Sequence, residues 1–370
     1  MNNENNGAGG TTGTAEPPLK VLIVGCGAVV EEYQGPAARE AERQGWLQVV
    51  GLVDRSEERL ARCQNLFPSA RCYTDLERAR EADIALIATP ARSHADLAVS
   101  LLGRGYNLLV EKPICATAAE ARTLRTEADR LGRMLAVGHF RRFFPAIETI
   151  RTMIASGVFG SVRRIVVDEG GMFRWPAASA GFFTREEGGG GVTLDLGIHA
   201  IEILVSWLGI PEVVDYADDA MGGVEINSAA RLRWPGGTEA DIRLSWDVEL
   251  ANRYRVEFDR AIVTWRTGQA TDLLIEIDGV AVPQLATSRQ PYGSTAEHAT
   301  TAHGYLGAFT AQWKDVVDAV RENRKPRVSG GTATAALSLV ETMYARKRLM
   351  DMPCFEPEEF ARARQLAEAA

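Results

Sequence analysis

Asp195, His199, Glu202 and Ser206 lie four, three and four residues apart within GGGGVTLDLGIHAIEILVSWL, residues 188–208. At 3.6 residues per turn these offsets place all four on one helical face. A carboxylate and an imidazole then project side by side from the start of an apolar helix, a pair suited to proton transfer and to orienting a substrate. The same stripe also fits the water-facing side of an ordinary amphipathic helix, so other residues must decide. Lys112 is the second candidate. It stands in Glu111-Lys112-Pro113 at the end of an apolar run, and the proline disfavours the α region before it, so the backbone is extended there and the Lys112–Pro113 bond is a candidate cis peptide. A lysine partly withdrawn from water loses proton affinity and works nearer neutral pH; its competing role is a salt bridge to Glu111.

The elements that must position these groups open with a nucleotide site. Leu19 to Val24 (LKVLIV) reads as a β-branched strand, Gly25-Cys26-Gly27 follows at once, and a helix runs on through Glu42. Gly25 permits a sharp turn, and Gly27 lets the backbone approach a pyrophosphate at the helix N-terminus, where free N–H groups favour an anion. Val30 holds the third glycine position of GxGxxG, so the helix is expected to pack farther from the strand. A second strand, Leu47 to Val53, ends at Asp54, placed to accept the adenosine ribose hydroxyls. That favours NAD over NADP. Arg55 beside it offers a guanidinium to adenine or to a 2′-phosphate. Strands at 83–88, 106–110 and 134–138 alternate with helices, and repeated βα units imply a parallel sheet. Ligands bind such sheets beyond the carboxyl ends of the strands, which marks Thr89, Pro90 and His94 after one strand and Glu111 and Lys112 after the next.

The second half changes character. Alternating segments at 162–168, 228–234, 240–246, 254–258 and 273–277, two of them joined by Pro235-Gly236-Gly237, predict a meander-like sheet. Residues 170–187 carry Phe173, Arg174, Trp175, Phe182 and Phe183 and are too long for an ordinary connection. They read as a cover over a substrate or as a loop anchored by aromatic packing. Leu306, Phe309, Trp313, Val316 and Val320 form the stripe of a core helix, and Pro326 and Gly330-Gly331 separate it from a final helix through Arg348.

With 370 residues, 46% of them hydrophobic, the chain has material for two domains. A formal net charge of -8 and no basic block argue against a nucleic-acid or anionic-membrane partner. No run reads as long and apolar enough to span a membrane. Five cysteines, Cys26, Cys63, Cys72, Cys115 and Cys354, are odd in number and lack CxxC spacing, so no disulfide framework or zinc site is expected and reduced thiols in the cytoplasm are. Residues 1–18 lack a basic start and an apolar core and read as a flexible tail rather than a signal peptide. His139, His298 and His303 show no metal-ligand spacing and receive no role, and no metal is expected.

GCGAVVEEY, DRSEERL, ATPARSHADLA, EKPICAT, GHFRRFFPAI, GGGGVTLDLGIHAIEIL and GGTATAALSLVETMYA together resemble the Gfo/Idh/MocA family of sugar and cyclitol oxidoreductases, over residues 19 to 350. The resemblance implies an α/β Rossmann domain at 19–140 and an α+β domain at 141–350, whose large, mostly antiparallel open sheet carries the substrate site and a homo-oligomer interface, dimer or tetramer. Residues 351–370 are left as a C-terminal tail. It implies catalytic Lys112, Asp195 and His199, cofactor contacts from Gly25, Cys26, Gly27, Ala28, Val29, Asp54, Arg55, Thr89, Pro90, His94, Glu111, Lys112 and Arg142, and substrate contacts from Lys112, Arg174, Trp175, Asp195 and His199. Phe140 departs from the pattern, standing where many members have asparagine.

The expected activity is NAD-dependent, with NADP the other option: a hydride passes between nicotinamide and a secondary alcohol or ketone of a sugar, cyclitol or sugar derivative. An unshifted imidazole makes His199 the first choice of base, with Lys112 on the same oxygen and Asp195 orienting a neighbouring hydroxyl; the Lys112 and His199 roles are interchangeable at this point. An NAD-dependent glycosidase and a non-enzymatic nucleotide-binding sensor are the alternatives.

Overall fold

The computed structural model describes residues 16–176, 180–286, 301–351 and 356–369. Residues 1–15 of the expected tail, Cys354 and His298 lie outside them, as does the side chain of His303.

Short β-branched runs build the first sheet: β1 (Leu19–Val24), β2 (Leu47–Val53), β3 (Arg71–Tyr73), β4 (Ile84–Ile87), β5 (Asn107–Val110) and β6 (Leu135–Val137). They pair in parallel in the order β3-β2-β1-β4-β5-β6. Both faces of the central strands are buried, and this explains why β1 and β4 read as continuous apolar runs. The crossovers carry α1 (Gly35–Arg43), α2 (Glu57–Leu66), α3 (His94–Gly103) and α4 (Ala118–Leu131). Ser56 caps α2, and Thr117 with Glu120 forms a capping box on α4. The helix after the first glycine turn opens with a π-helical turn over Val30–Gln34. Val30 is fully buried there, and the close approach is moved to Gly35, where a Cβ would lie 2.5 Å from the Val30 carbonyl oxygen and 2.9 Å from Leu66. The missing third glycine is thus absorbed by a wider turn.

α5 (Pro145–Ser156) leads into β7 (Val162–Gly170), then the short α6 (Arg185–Gly188) and α7 (Ile198–Leu208). The other strands are β8 (Glu212–Asp218), β9 (Asn227–Arg233), β10 (Glu239–Ser245), β11 (Arg253–Phe258), β12 (Ile262–Arg266), β13 (Asp272–Ile277), β14 (Val280–Leu285) and β15 (Arg348–Leu349). Their order is β14-β13-β12-β11-β7-β10-β9-β8-β15. The expected meander is corrected: β7 inserts between the two runs of hairpins, antiparallel to β11 and parallel to β10. One face of this sheet packs on α5, α9 (Gly330–Ala345) and the turn that leads into α7. The other face is a ladder of charges in which Arg164 and Arg231 meet Asp241, Arg243 meets Asp168 and Arg233 meets Glu239.

The last helices tie the halves together. α8 (Thr301–Arg321) packs on α1, and α9 packs on both α4 and α7. The final helix ends at Ala345 rather than Arg348, because Arg348 and Leu349 pair with β8 as an edge strand. Beyond it, Pro357–Ala369 forms a further helix, α10, within the expected tail. Residues Arg185–Leu208 are long and apolar enough to cross a membrane by length and composition, a correction to the sequence reading. Of the apolar window, 78% is buried inside the fold, so the run serves as core.

Candidate active site

The glycine turn closes under the second and fourth strands. Gly25 has φ +94°, and a Cβ on it would lie 2.6 Å from the Ala88 carbonyl oxygen, so only glycine fits. A Cβ on Gly27 would meet no protein atom within 4 Å; that side of the turn suits a pyrophosphate at the helix start, where Ala28 and Val29 lie in the first turn. Asp54 sits directly below. Its Oδ2 accepts the Cys26 N–H and its Oδ1 the Ser56 N–H, both at 2.8 Å, which fixes the carboxylate at the strand end while Arg55 stays exposed.

The loops after β4 and β5 are braced against each other by His94. Its ring nitrogens face the Thr89 carbonyl oxygen at 2.7 Å and the Pro113 carbonyl oxygen at 3.0 Å. The ring is buried and braces Thr89, Pro90 and the Lys112 loop in place. The Lys112–Pro113 bond is cis. Glu111 is likewise buried: its Oε1 accepts from Gln34 Nε2 at 2.6 Å and its Oε2 from the Lys112 N–H at 3.1 Å. Gln34 also donates to Gln312 on α8, so this polar chain joins the two halves under the loop. Burial raises the Glu111 carboxyl above its ordinary value, against the pull of Gln34 and Lys112. Arg142 also lies inside the fold. Its guanidinium is buried and meets the fully buried Glu202 at 2.7 Å in an internal ion pair.

Lys112 and Asp195 do come together. Lys112 Nζ donates to Asp195 Oδ1 at 2.6 Å and to the Asp195 carbonyl oxygen at 3.2 Å, with both side chains about one-quarter exposed. The competing pairing of Lys112 with Glu111 through side chains is not made. The four-residue stripe is broken by a π-helical turn over Thr193–Gly197, so Asp195 and His199 are not successive turns of one α-helix. Asp195 turns to Lys112, Glu202 points inward to Arg142, and Ser206 bonds back to the Ile203 carbonyl.

His199 lies behind the ion pair, 4% exposed, its ring edge-on to His139 at 5.5 Å and to Phe140 at 5.4 Å between centroids. Burial first, then the charges of Arg141 and Lys112 and the neighbouring His139, holds its imidazole well below the ordinary histidine range. The expectation of an unshifted imidazole is therefore overturned: the ring stands neutral at physiological pH. Phe140 stacks on Phe309 at 4.3 Å, which accounts for an aromatic ring where a polar amide is common.

Of the 170–187 segment, Phe173, Phe182 and Phe183 gather on Trp246, while Trp175 reaches the first domain and stacks on Tyr33 at 6.0 Å. Arg174 is exposed. Sequence reasoning missed Tyr33, His139 and the buried Arg141–Glu169 pair, whose closest contact is 2.6 Å. Each stood inside a quoted motif, Tyr33 in GCGAVVEEY and His139 and Arg141 in GHFRRFFPAI, without a signal of its partner.

Comparison with known proteins decides the family. Residues 19–139 match the model described as "Oxidoreductase family, NAD-binding Rossmann fold", and residues 147–264 match the "GFO/IDH/MocA C-terminal domain". The chain belongs to the Gfo/Idh/MocA oxidoreductase family. Among curated relatives, the putative UDP-kanosamine synthase oxidoreductase subunit of Amycolatopsis mediterranei is 28% identical over 71% of this chain and 73% of its own length. The rhizopine catabolism protein MocA of Rhizobium meliloti is 29% identical over 51% of this chain, a match spanning only 57% of that relative. Among solved structures, a levoglucosan dehydrogenase in complex with NADH and levoglucosan superposes with a TM-score of 0.77 at 14% identity, covering 89% of this chain and 98% of that one. A 3-ketoreductase from Actinomadura kijaniata gives 0.75 at 19% identity, covering 91% and 100%. At these identities the structures show the fold. A nicotinamide dinucleotide fits the first domain on its own geometry, since the Gly27 approach, the helix start and the Asp54 carboxylate lie together beyond the carboxyl ends of β1 and β2.

Proposed function

We propose that this oxidoreductase moves a hydride between the nicotinamide of NAD, or NADP, and a secondary alcohol or ketone of a sugar, cyclitol or sugar derivative. The observation that carries the reading is the 2.6 Å contact between Lys112, at the carboxyl end of a parallel strand, and Asp195, at the start of the helical segment from the second sheet. Gly25, Cys26, Gly27, Ala28, Val29, Asp54, Arg55, Thr89 and Pro90 would hold the dinucleotide, and nicotinamide C4 supplies the hydride acceptor or donor when bound. Lys112 hydrogen-bonds the reacting oxygen and stabilises its developing negative charge, while Asp195 fixes the ammonium and orients a neighbouring hydroxyl. His199, held neutral, accepts the hydroxyl proton in oxidation. Nearby cations disfavour the charged ring, so it returns that proton readily, which suits reduction of a ketone. Arg174 and Trp175 bound the substrate side.

The division at residue 140 and a homo-oligomer built through the charged face of the second sheet belong to the same proposal. The self-complementary rows of arginine and carboxylate on that face support the oligomer. The named relatives support the substrate class, among them a D-glucoside 3-dehydrogenase of Escherichia coli and an NADP-dependent scyllo-inositol 2-dehydrogenase of Bacillus subtilis. A panel of sugars, inositols and nucleotide-linked sugars, assayed for NAD+ and NADP+ reduction alongside the ketosugars for the reverse reaction, tests the proposal. Turnover of one class that is lost in Lys112→Met supports it. Release of an aglycone without net cofactor reduction, or tight nucleotide binding with no turnover of any compound, would overturn it.

A further inference from the structure

The glycine run and the helix it starts are held from behind by a residue that no motif marks. Glu225, in the loop between β8 and β9, is fully buried. Its Oε2 accepts the Gly191 N–H at 3.0 Å, and its Oε1 accepts the Thr193 N–H at 3.0 Å and the Tyr344 hydroxyl at 2.8 Å. Its backbone carbonyl takes the Val192 N–H at 3.0 Å. Three successive N–H groups at a helix start, where no partner exists within the helix, therefore end on one residue. The carboxylate lies at the positive end of that helix, which stabilises its charge inside the protein. The glycines follow from this packing: a Cβ on Gly190 would lie 2.1 Å from the Tyr344 hydroxyl, and one on Gly191 1.9 Å from the Glu225 carbonyl oxygen. Burial, then the Glu225 carboxylate, pushes the Tyr344 phenol far up, so its hydroxyl remains a donor. Asp195 begins two residues beyond Thr193, and its own N–H donates to the Gly191 carbonyl at 3.0 Å. The anchored turn is thus the turn that presents Asp195 to Lys112.

We propose that Glu225, backed by Tyr344, is a positioning residue of the active site: it sets where Asp195 stands against Lys112 while touching neither. The inference rests on the hydride-transfer reading above. Arg185 of α6 lies over the Tyr344 ring at 4.9 Å, so the same pair also fastens the end of the 170–187 segment to the start of the Asp195 helix.

Glu225→Gln keeps the shape but places an NH2 group against a backbone donor, and Tyr344→Phe removes one bond to the carboxylate and leaves the helix N–H contacts intact. In single turnover with saturating cofactor, Glu225→Gln should slow hydride transfer by roughly 10- to 100-fold, the scale of a small misplacement of a reacting group. NAD(P)H affinity and substrate KM should change by less than about 3-fold. Tyr344→Phe should act in the same direction and less. In an Asp195→Asn background, Glu225→Gln should add less than about 3-fold, because the route of its effect is already gone. Amide exchange at residues 191–196 should quicken in both variants, a readout that needs no turnover. A full multiplicative loss in the Asp195→Asn background, unchanged exchange, or a near-wild-type rate in both single variants would overturn the proposal. If Glu225→Gln does not fold, Tyr344→Phe decides by the same two readouts. Faster exchange in a protein whose wild type neither oxidises any alcohol nor reduces any ketone of the panel would refute the hydride-transfer reading and leave the anchoring of Asp195 standing.

Discussion

Replacing His139 by glutamine should make the fold less sensitive to acid. The imidazole is 1% exposed and its Nδ1 has no partner among the described residues. Burial, followed by the charges of Lys112, Arg142 and Arg141, pushes its pKa down from 6.5 to about 3. Between those values the unfolded chain takes up a proton that the folded protein refuses. The stability tied to this ring is therefore complete above pH 6.5 and is lost as the pH falls from there toward about 3. At about 1.4 kcal/mol per pH unit, going from about pH 7.5 to about pH 5 removes about 2 kcal/mol through His139 alone. Glutamine does not titrate, and the packing cost of the substitution is the same at both pH values. His94, also lowered by burial, and Glu111 and Glu202, raised by it, contribute to both proteins and cancel in the comparison; His199, lowered chiefly by burial, Arg141 and Lys112, cancels apart from the smallest contribution, which comes from His139. Urea unfolding of wild type and variant at the two pH values is the assay. The stability difference should move by about 2 kcal/mol in the variant's favour on acidification. A difference that stays constant with pH would refute the claim that His139 is held neutral.

The two glycines of the turn should separate folding from binding. Gly25→Ala should lower stability by about 2 kcal/mol or more because its Cβ collides with the Ala88 carbonyl at a positive φ, whereas Gly27→Ala should leave Tm unchanged and weaken NAD(P)H binding measured by fluorescence. Arg142→Met should cost about 3–5 kcal/mol by stranding Glu202, and Arg142→Met with Glu202→Leu should recover most of it in denaturant unfolding. Trp175→Ala should leave Tm within about 1 °C and raise substrate KM by roughly 10-fold, with cofactor affinity unchanged, if the Tyr33 stack closes the substrate side.

Most of the first sheet was legible because its central strands are buried on both faces and follow a local rule, apolar run then glycine turn or helix cap. β3, β8, β12 and β14 were missed for the opposite reason. Glu212–Asp218 and Ile262–Arg266 are partly open to solvent on one side, and their alternation is too short to stand out. The central place of β7 depends on a parallel pairing with β10, for which no local signal exists. At the site, residue types were legible and partners were not. Lys112 and Asp195 are 83 residues apart, and the helical spacing that joined Asp195 to His199 failed at the π-helical turn. The depressed imidazole of His199 arises from burial first, then from Arg141, Lys112 and His139, which reach it from other elements. Glu225 stands alone between glycines and asparagine with nothing to mark it as a helix anchor.

The most direct measurement of the central claim is single-turnover hydride transfer at saturating cofactor in wild type, Lys112→Met, His199→Ala and the double variant. If both residues serve one substrate oxygen, each single substitution should slow the step by roughly 100-fold or more, the double variant should lose far less than the product, and NAD(P)H affinity should hold. Near-wild-type rates in both single variants would contradict the account.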